Sequence, residues 1–373
     1  MKILFLDQFS DLGGAQQCLL DLLPAIQEQG WEAIVAVPGE GRLFAEAERL
    51  GAKTQRLRSG PYRSGSKSVA DICRFGLELP RLAHSISAIP ADVLYVNGPR
   101  LLPAASRAAG QRIPLIFHAH SYLGKAYAAR LARHALQRSR AVVIGSCHFV
   151  LQPLQACLEN LETHVVPVAA RAPGVQSQRS RGPKTRIGLI GRISPEKGQA
   201  EMLRAARLLA DAEIEWVICG APLMGADDYH AAVRRLAEGL RVEWMGWRDD
   251  VHEVLATLDL LVVPSAPGEA TTRVIPEAFA AGVPVIATSS GGIPEIVQHG
   301  ENGYLAGSAT PEDLARAVRE FLAKPEKEIA RIIACGRATW ERNHRLEAFR
   351  GAIVTVLSRI AERAGFRRAN APR

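Results

Sequence analysis

The sequence predicts an α/β protein built of two doubly wound, Rossmann-like domains facing each other across a deep cleft. Three observations predict it. Short apolar, β-branched runs alternate with longer helix-patterned segments along all 373 residues, which is the pattern of parallel sheets with crossover helices. Each half opens alike, with a strand, a glycine-bearing loop and a helix, as "ILFLDQFSDLGGAQQCLLDLL" and "IGLIGRISPEKGQAEMLRAARLL". Between the halves, "RAPGVQSQRSRGPK" is rich in Pro, Gly, Ser and Arg and has no apolar period, so it reads as a connection.

In chain order, the strands expected in the first half are "KILFLD", "AIVAVP", "DVLYVN", "PLIFHAH" and "AVVIGS". Those expected in the second are "RIGLIGR", "EWVICGA", "VEWMGW", "LDLLVVPS" and "VPVIATS". The expected organisation is a first domain over residues 1–170, a linker over 171–184 and a second domain over 185–345. A C-terminal helix over 346–373 packs back on the first domain and ends in the basic tail "RRANAPR". In doubly wound domains, ligands bind at the carboxyl ends of the strands, so the strand-to-helix loops are where function is sought.

Composition narrows the class. With 47% hydrophobic and 23% charged residues the chain can bury ordinary cores. "MKILFLD" carries an apolar run too short for a signal peptide or a membrane span. Six cysteines, with no CxxC pair, fit a reducing cytoplasm and no structural zinc. The net charge is +8, and no acidic residue occurs from Val93 to Leu158. That segment reads as a solvated basic face, or as one that meets an anionic membrane or acceptor. No motif with interleaved aromatics points to nucleic acid.

Candidate site residues fall on the loops. Glu269 and Glu277 are eight positions apart; on one helix that is about 80° in angle and about 12 Å along the axis, so they would not share a face. Pro276 is expected to open a helix, which leaves Glu269 in a loop and Glu277 in a first turn. "GLIGRISPEKG" places Gly191, Arg192, Lys197 and Gly198 between strand and helix, where free amides and the helix dipole attract phosphate. It is neither a Walker loop nor the GxGxxG of a dinucleotide fold. Gly13 and Gly14 occupy the equivalent turn of the first half. His118 and His120, at the end of "LIFHAH", point to one side if the strand continues through them, and read as substrate-binding or, more commonly for such residues, as structural. There is no Asp-x-Asp and no cluster with metal spacing, and "VIGSCHF" lacks the second glycine of a nucleophile elbow.

Taken together, "GGAQQ", "GRISPEKG", "VPSAPGEATTRVIPEAFAAGVPVIAT", "GGIPEIV" and "ENGYL" resemble the retaining nucleotide-sugar glycosyltransferases of family 4, which have the GT-B fold. The resemblance covers nearly the whole chain. It implies that Arg192 and Lys197 contact the donor diphosphate, that Glu277 binds the ribose hydroxyls and that Glu269 lies near the transferred sugar. It implies further that Ala270, Thr271 and Thr272 offer amides to sugar or phosphate and that Gly246 and Trp247 meet the base. Gly13 and Gly14 match the loop near diphosphate and acceptor, and His120 matches the histidine near the sugar, with His118 a second candidate. Thr271 and Thr272 stand where the family often has Phe-Gly, Asn97 where many members have histidine, and Gln16 where many have glutamate.

The implied reaction moves a sugar from a nucleoside diphosphate sugar to an acceptor hydroxyl, with retention, no metal and no cofactor. The implied setting is glycan, polysaccharide or glycolipid synthesis. The expected acceptor is a glycan or a lipid-linked sugar, and the expected location is cytoplasmic, peripheral on the inner face of the membrane. Basic stretches from Lys53 to Arg81 and from Arg100 to Arg140 would rest on anionic lipid there. Competing readings are a sugar-nucleotide epimerase of similar architecture and a non-catalytic nucleotide-sugar-binding protein. A dehydrogenase lacks its fingerprint loop.

Overall fold

The computed structural model of the chain describes residues 1–58, 69–173, 184–222 and 227–365. Outside them lie residues 174–183 of the expected linker, 59–68 of the first basic stretch, and the basic tail. The chain forms two compact units. The first runs from Met1 to Pro167 and takes in the segment that begins at Leu346; the second runs from Val168 to Arg345.

The first unit holds a seven-stranded parallel sheet made of β1 (Lys2–Leu6), β2 (Glu32–Val37), β3 (Lys53–Arg56), β4 (Val93–Val96), β5 (Leu115–Ala119), β6 (Val142–Gly145) and β7 (Thr163–Val165). The order across the sheet is β3-β2-β1-β4-β5-β6-β7. The second unit holds six strands: β8 (Thr185–Ile190), β9 (Ile214–Cys219), β10 (Val242–Gly246), β11 (Leu260–Val263), β12 (Val285–Thr288) and β13 (Tyr304–Ala306). Their order, β10-β9-β8-β11-β12-β13, is also parallel throughout. In both sheets the order reverses beside the first strand, at β1/β4 and at β8/β11. Loops leaving those strands part to opposite sides, which opens a crevice at their carboxyl ends.

Period-2 patterning is plain in the second sheet. Ile187, Leu189, Trp216, Ile218, Leu260, Val262 and Ile286 enter one core. Val217, Leu261, Val263, Val285 and Ala287 enter the other. Because both faces are covered by helices, the inner strands read as largely apolar runs.

The three strands absent from the expected set are β3, β7 and β13, each of which ends a sheet. Their sequences, KTQR, THV and YLA, are short or polar. Two further boundaries differ from expectation. Val168, Ala169 and Ala170 belong to the second unit, because the Ala170 N–H donates to the His344 carbonyl and the Trp340 indole N–H donates to the Ala170 carbonyl. The helix carrying Glu277 spans Val274–Ala281, so it begins two residues before Pro276. A proline third in a helix loses nothing, since the first four N–H groups have no intrahelical partner.

The last described helix, Leu346–Arg363, lies in the first unit and packs on the helix Gly14–Glu28. It buries Phe349, Ile353, Val356, Leu357 and Ile360. Arg350 Nε donates to the Asp21 carbonyl at 2.6 Å.

Candidate functional site

Candidate residues form one cluster in each unit. In the second unit the loop after β8 begins at Gly191 and ends at Gly198, from which the helix Gln199–Leu208 starts. The loop is pinned by Gln199, a fully buried side chain: its Nε2 donates to the Arg192 carbonyl at 2.7 Å and its Oε1 accepts from the Ser194 N–H at 3.3 Å. Gly198 takes the left-handed conformation, φ 73°, as the residue before the helix. Its place against the Pro264 carbonyl is too close for a side chain: a Cβ would lie 2.1 Å from that oxygen.

The loop after β11 meets the same spot. The Ala266 N–H donates to the Glu196 carbonyl at 3.0 Å, Thr288 Oγ1 donates to the Ser265 carbonyl at 2.7 Å and Ser290 Oγ donates to the Ala266 carbonyl at 2.7 Å. The Gly292 N–H donates to the Glu269 carbonyl at 3.1 Å. These bonds hold the backbone of Glu269 on both sides and bring its carboxylate to Lys197. Lys197 Nζ and Glu269 Oε2 are 2.6 Å apart, with side chains only 17% and 14% exposed. Residues 72 positions apart in sequence thus form one charge-assisted contact. Arg192 lies on the more open rim, with Nη2 3.1 Å from Glu196 Oε1.

Glu277 sits in the first turn of its helix and pairs with Arg273, Nε to Oε1, at 3.6 Å. Its neighbour His252 is held neutral: burial pushes its pKa below the ordinary histidine value, outweighing the opposing pull of Glu277. Ala270 and Thr272 are buried and Thr271 is half-buried, on the segment joining Glu269 to this helix. Gly246 ends β10 with φ 64°, and Trp247 follows, its indole N–H donating to Asp249 Oδ1 at 3.0 Å. Gly220, which the sequence reading did not single out, ends β9 between them and Gly191. A Cβ there would fall 1.9 Å from the Gly191 carbonyl. Gly191, Gly220 and Gly246 close three neighbouring strands, and the Gly191 N–H donates to the Cys219 carbonyl while the Gly220 N–H donates to the Gly246 carbonyl.

In the first unit, Gly13 precedes the helix Gly14–Glu28, and a Cβ there would fall 2.8 Å from Gln16 Oε1. Asn97 follows β4 and is buried, while His120 follows β5 and is half-buried. His118 and His120 do lie on one side, ring centroids 3.8 Å apart. Their surroundings differ. His118 is buried, shares a hydrogen bond between its Nδ1 and the Tyr95 hydroxyl at 2.7 Å and stacks at 6.3 Å on Phe349. Burial holds its pKa well below the usual value, so it is a neutral ring supporting His120. His120 Nε2 lies 2.9 Å from Asn97 Oδ1. The sequence reading missed Asp7, a fully buried carboxylate at the end of β1 that receives both the Gln16 and the Asn97 amides. An aspartate closing an apolar strand was the available signal.

Among the described residues no group of three His, Cys, Asp or Glu side chains is placed to hold a metal ion. No described helix is long and apolar enough to cross a membrane.

Two parallel sheets of the same reversed order, each with its candidate residues at the carboxyl ends of the strands, define a GT-B fold. The model of the "Glycosyl transferase 4-like domain" matches residues 13–173, and that of "Glycosyl transferases group 1" matches residues 184–324. The chain belongs to family 4 of the GT-B glycosyltransferases. It is 24% identical over 370 residues to the sulfoquinovosyl transferase SQD2 of Arabidopsis thaliana, covering 91% of this chain and 69% of the relative. It is 30% identical over 177 residues to a D-inositol 3-phosphate glycosyltransferase of Mycolicibacterium vanbaalenii, covering 43% of this chain. The match spans 39% of that relative's length, about two fifths. Among solved structures, Anabaena HepE in complex with UDP and glucose superposes with a TM-score of 0.80 at 24% identity, covering 96% of this chain and 99% of that one. The sucrose-phosphate synthase of Thermosynechococcus elongatus also gives 0.80, at 17% identity over 97% of this chain and 100% of that one.

Proposed function

We propose that the chain transfers a sugar from a nucleoside diphosphate sugar, with UDP as the nucleotide, to the hydroxyl of a glycan or lipid-linked acceptor, retaining the anomeric configuration. The observation that carries this reading is the Lys197–Glu269 contact, 2.6 Å between a phosphate-loop cation and a carboxylate of the β11 loop. A diphosphate entering beside Gly191 would draw the ammonium to itself and free Glu269 to accept from sugar hydroxyls. Arg192 adds a planar fork suited to phosphate oxygens, and Glu277 would take the ribose hydroxyls.

In the step itself, the bond from the anomeric carbon to the diphosphate oxygen breaks, and the electron pair leaves with the nucleoside diphosphate. The acceptor oxygen forms the new bond on the same face, and its proton passes to the departing phosphate. Charge gathers on the leaving group, where Arg192 and Lys197 stabilise it more in the transition state than before it. With two cations assigned to that charge, the reaction needs no metal. UDP in the HepE complex supports the choice of nucleotide, and relatives named for exopolysaccharide and for lipopolysaccharide core biosynthesis support a place in polysaccharide or glycolipid synthesis.

Thermal unfolding with UDP-, GDP- and ADP-glucose tests the donor. The UDP sugar is expected to raise the unfolding temperature most, since ligand at a hundred times its Kd adds about 2.7 kcal/mol. Transfer should survive EDTA undiminished. An equal response to all three donors, or none, would retire the nucleotide assignment.

We also propose a peripheral site on the cytoplasmic face of a membrane. The helix Ala126–Ser139 exposes Tyr127 (51%) and Leu131 (39%) together with Arg130 and Arg138, apolar and basic side chains on one outward face. Such a face suits an anionic bilayer surface. Vesicles containing anionic lipid should sediment the protein at low salt, neutral vesicles should not, and Tyr127→Ser/Leu131→Ser should weaken the effect.

A further inference from the structure

Gln16 and Asn97, the two first-unit positions where the resemblance led to other residues being expected, meet on one carboxylate. Gln16 Nε2 donates to both oxygens of Asp7, at 2.9 and 3.0 Å. Asn97 Nδ2 donates to Asp7 Oδ2 at 2.7 Å, and the Phe9 N–H donates to Oδ1 at 2.9 Å. All the groups that hold the carboxylate are neutral donors: the Asn97 and Gln16 amides and the Phe9 and Gln8 backbone N–H groups.

The orientation of Asn97 follows from its partners. Its Nδ2 faces Asp7 Oδ2 and also the Ala15 carbonyl, 3.1 Å away. A backbone carbonyl can only accept, so the amide nitrogen must point there and Oδ1 must point the other way. That oxygen lies 2.9 Å from His120 Nε2. Since an amide oxygen also only accepts, His120 Nε2 must carry a proton. In the neutral ring Nδ1 is then the acceptor.

We propose that Asp7 and Asn97 are positioning residues that fix His120 in its Nε2–H tautomer, so that Nδ1 accepts a hydrogen bond from a hydroxyl of the bound sugar or acceptor. This rests on the reading of His120 as a ligand-facing residue. It gives the buried carboxylate a task. Asp7 lies at the end of β1, Asn97 at the end of β4 and His120 at the end of β5, neighbouring strands whose outer loops they bind together. Asn97 also ties them to the Gly13–Gly14 turn through Ala15.

The arrangement also implies a pH dependence. Burial raises the pKa of Asp7 to about 6, against the pull of its four donors. Above that pH the carboxylate aligns both amides. Below it a proton on Asp7 Oδ2 would face the Asn97 N–H, and that hydrogen bond is lost. The Ala15 carbonyl opposes a flip of Asn97, so the first effect is a loosened link to His120. Beyond Asn97 the titratable groups are His120, His118, held neutral by burial, and Tyr95, whose pKa burial raises well above the ordinary value. For stability the sign is opposite: the folded chain keeps a proton that the unfolded chain releases between pH 3.8 and about 6, so this group favours the fold more in acid.

The test is nitrogen-15 NMR of the imidazole rings in the full chain, with His120→Gln identifying the His120 signals. The parent protein should show His120 as the Nε2–H tautomer above pH 7. Asn97→Ala cuts the link outright and should give a mixture of tautomers; Asp7→Asn, which sets an amide against an amide donor, should do the same. Both should lower kcat about 10- to 100-fold, the range found when the partner of a functional histidine is removed from a metal site, with donor KM nearly unchanged. The acid limb of kcat near pH 6 should vanish in Asp7→Asn. A His120 tautomer identical in parent and both variants overturns the proposal. A changed tautomer with unchanged transfer overturns the role of His120 instead and leaves the positioning intact. If Asp7→Asn does not fold, Asn97→Ala carries both readouts.

Discussion

Lys197→Ala is expected to lower kcat by about 10²- to 10³-fold, the cost of removing one donor aimed at developing charge, while the protein remains folded. Two effects add. The leaving diphosphate loses the ammonium that would follow its growing charge, and Glu269, 2.6 Å away in the parent, loses its counter-ion. An unpaired carboxylate at that spot repels the incoming diphosphate, so donor binding weakens as well as turnover. The two effects are separable. Lys197→Ala/Glu269→Gln removes the stranded charge and should bind UDP better than Lys197→Ala alone, though its turnover stays low. Steady-state kinetics with UDP inhibition measures both. Near-normal turnover by Lys197→Ala would retire the diphosphate contact.

Gly198→Ala should be a strongly damaging single-methyl change in the second unit. The residue sits at φ 73°, and the added Cβ would meet the Pro264 carbonyl oxygen at 2.1 Å and its carbon at 2.9 Å. Both are backbone atoms at the end of β11, so neither the loop nor the strand can yield without moving the Lys197–Glu269 contact. Left-handed strain and overpacking together should cost about 3 kcal/mol or more, a fall of roughly 6–12 °C in unfolding temperature for a unit of this size. Gly239→Ala is the control. Its φ is 80°, but nothing lies within 4 Å of the added Cβ, so only the strain of about 1–2 kcal/mol remains. Equal losses in the two variants would show that the fit against Pro264 is not what requires glycine at position 198.

How much of this was legible in the sequence follows from where each residue packs. Ten strands stand out because they read as apolar runs; all but β10, a half-buried strand at the end of its sheet, lie inside a sheet. β3, β7 and β13 do not, because a strand at the end of a sheet has one neighbour and partial exposure, and KTQR or THV carries no apolar run. The loop after β8 and the two glutamates were legible as a candidate site because loop glycines, basic residues and prolines mark the chain locally. What was not legible is what holds them. Gln199 acts through its amide on Arg192 and Ser194, and Asp7 through Asn97 on His120. A glutamine at a helix start and an aspartate at a strand end have many ordinary uses, and only the fold brings Asp7 and Asn97, 90 positions apart, together. The expected start of the Glu277 helix erred for a local reason: proline was taken to occupy the first helical position, although the third is equally free of hydrogen bonding.

The stack of Phe349 under His118 under His120 has a consequence for how the protein is made. Residues 1–167 leave the ribosome long before Phe349 does, and the second unit emerges whole in between. Until the helix Leu346–Arg363 arrives, the side of Gly14–Glu28 on which it packs is open and His118 lacks the Phe349 ring. The histidine pair of the first unit is therefore completed last, by a segment synthesised after everything else in the described fold. A nascent chain stalled before residue 346 would hold a finished second unit and an unfinished first one, a state in which exposed apolar surface invites a chaperone before it can meet a substrate.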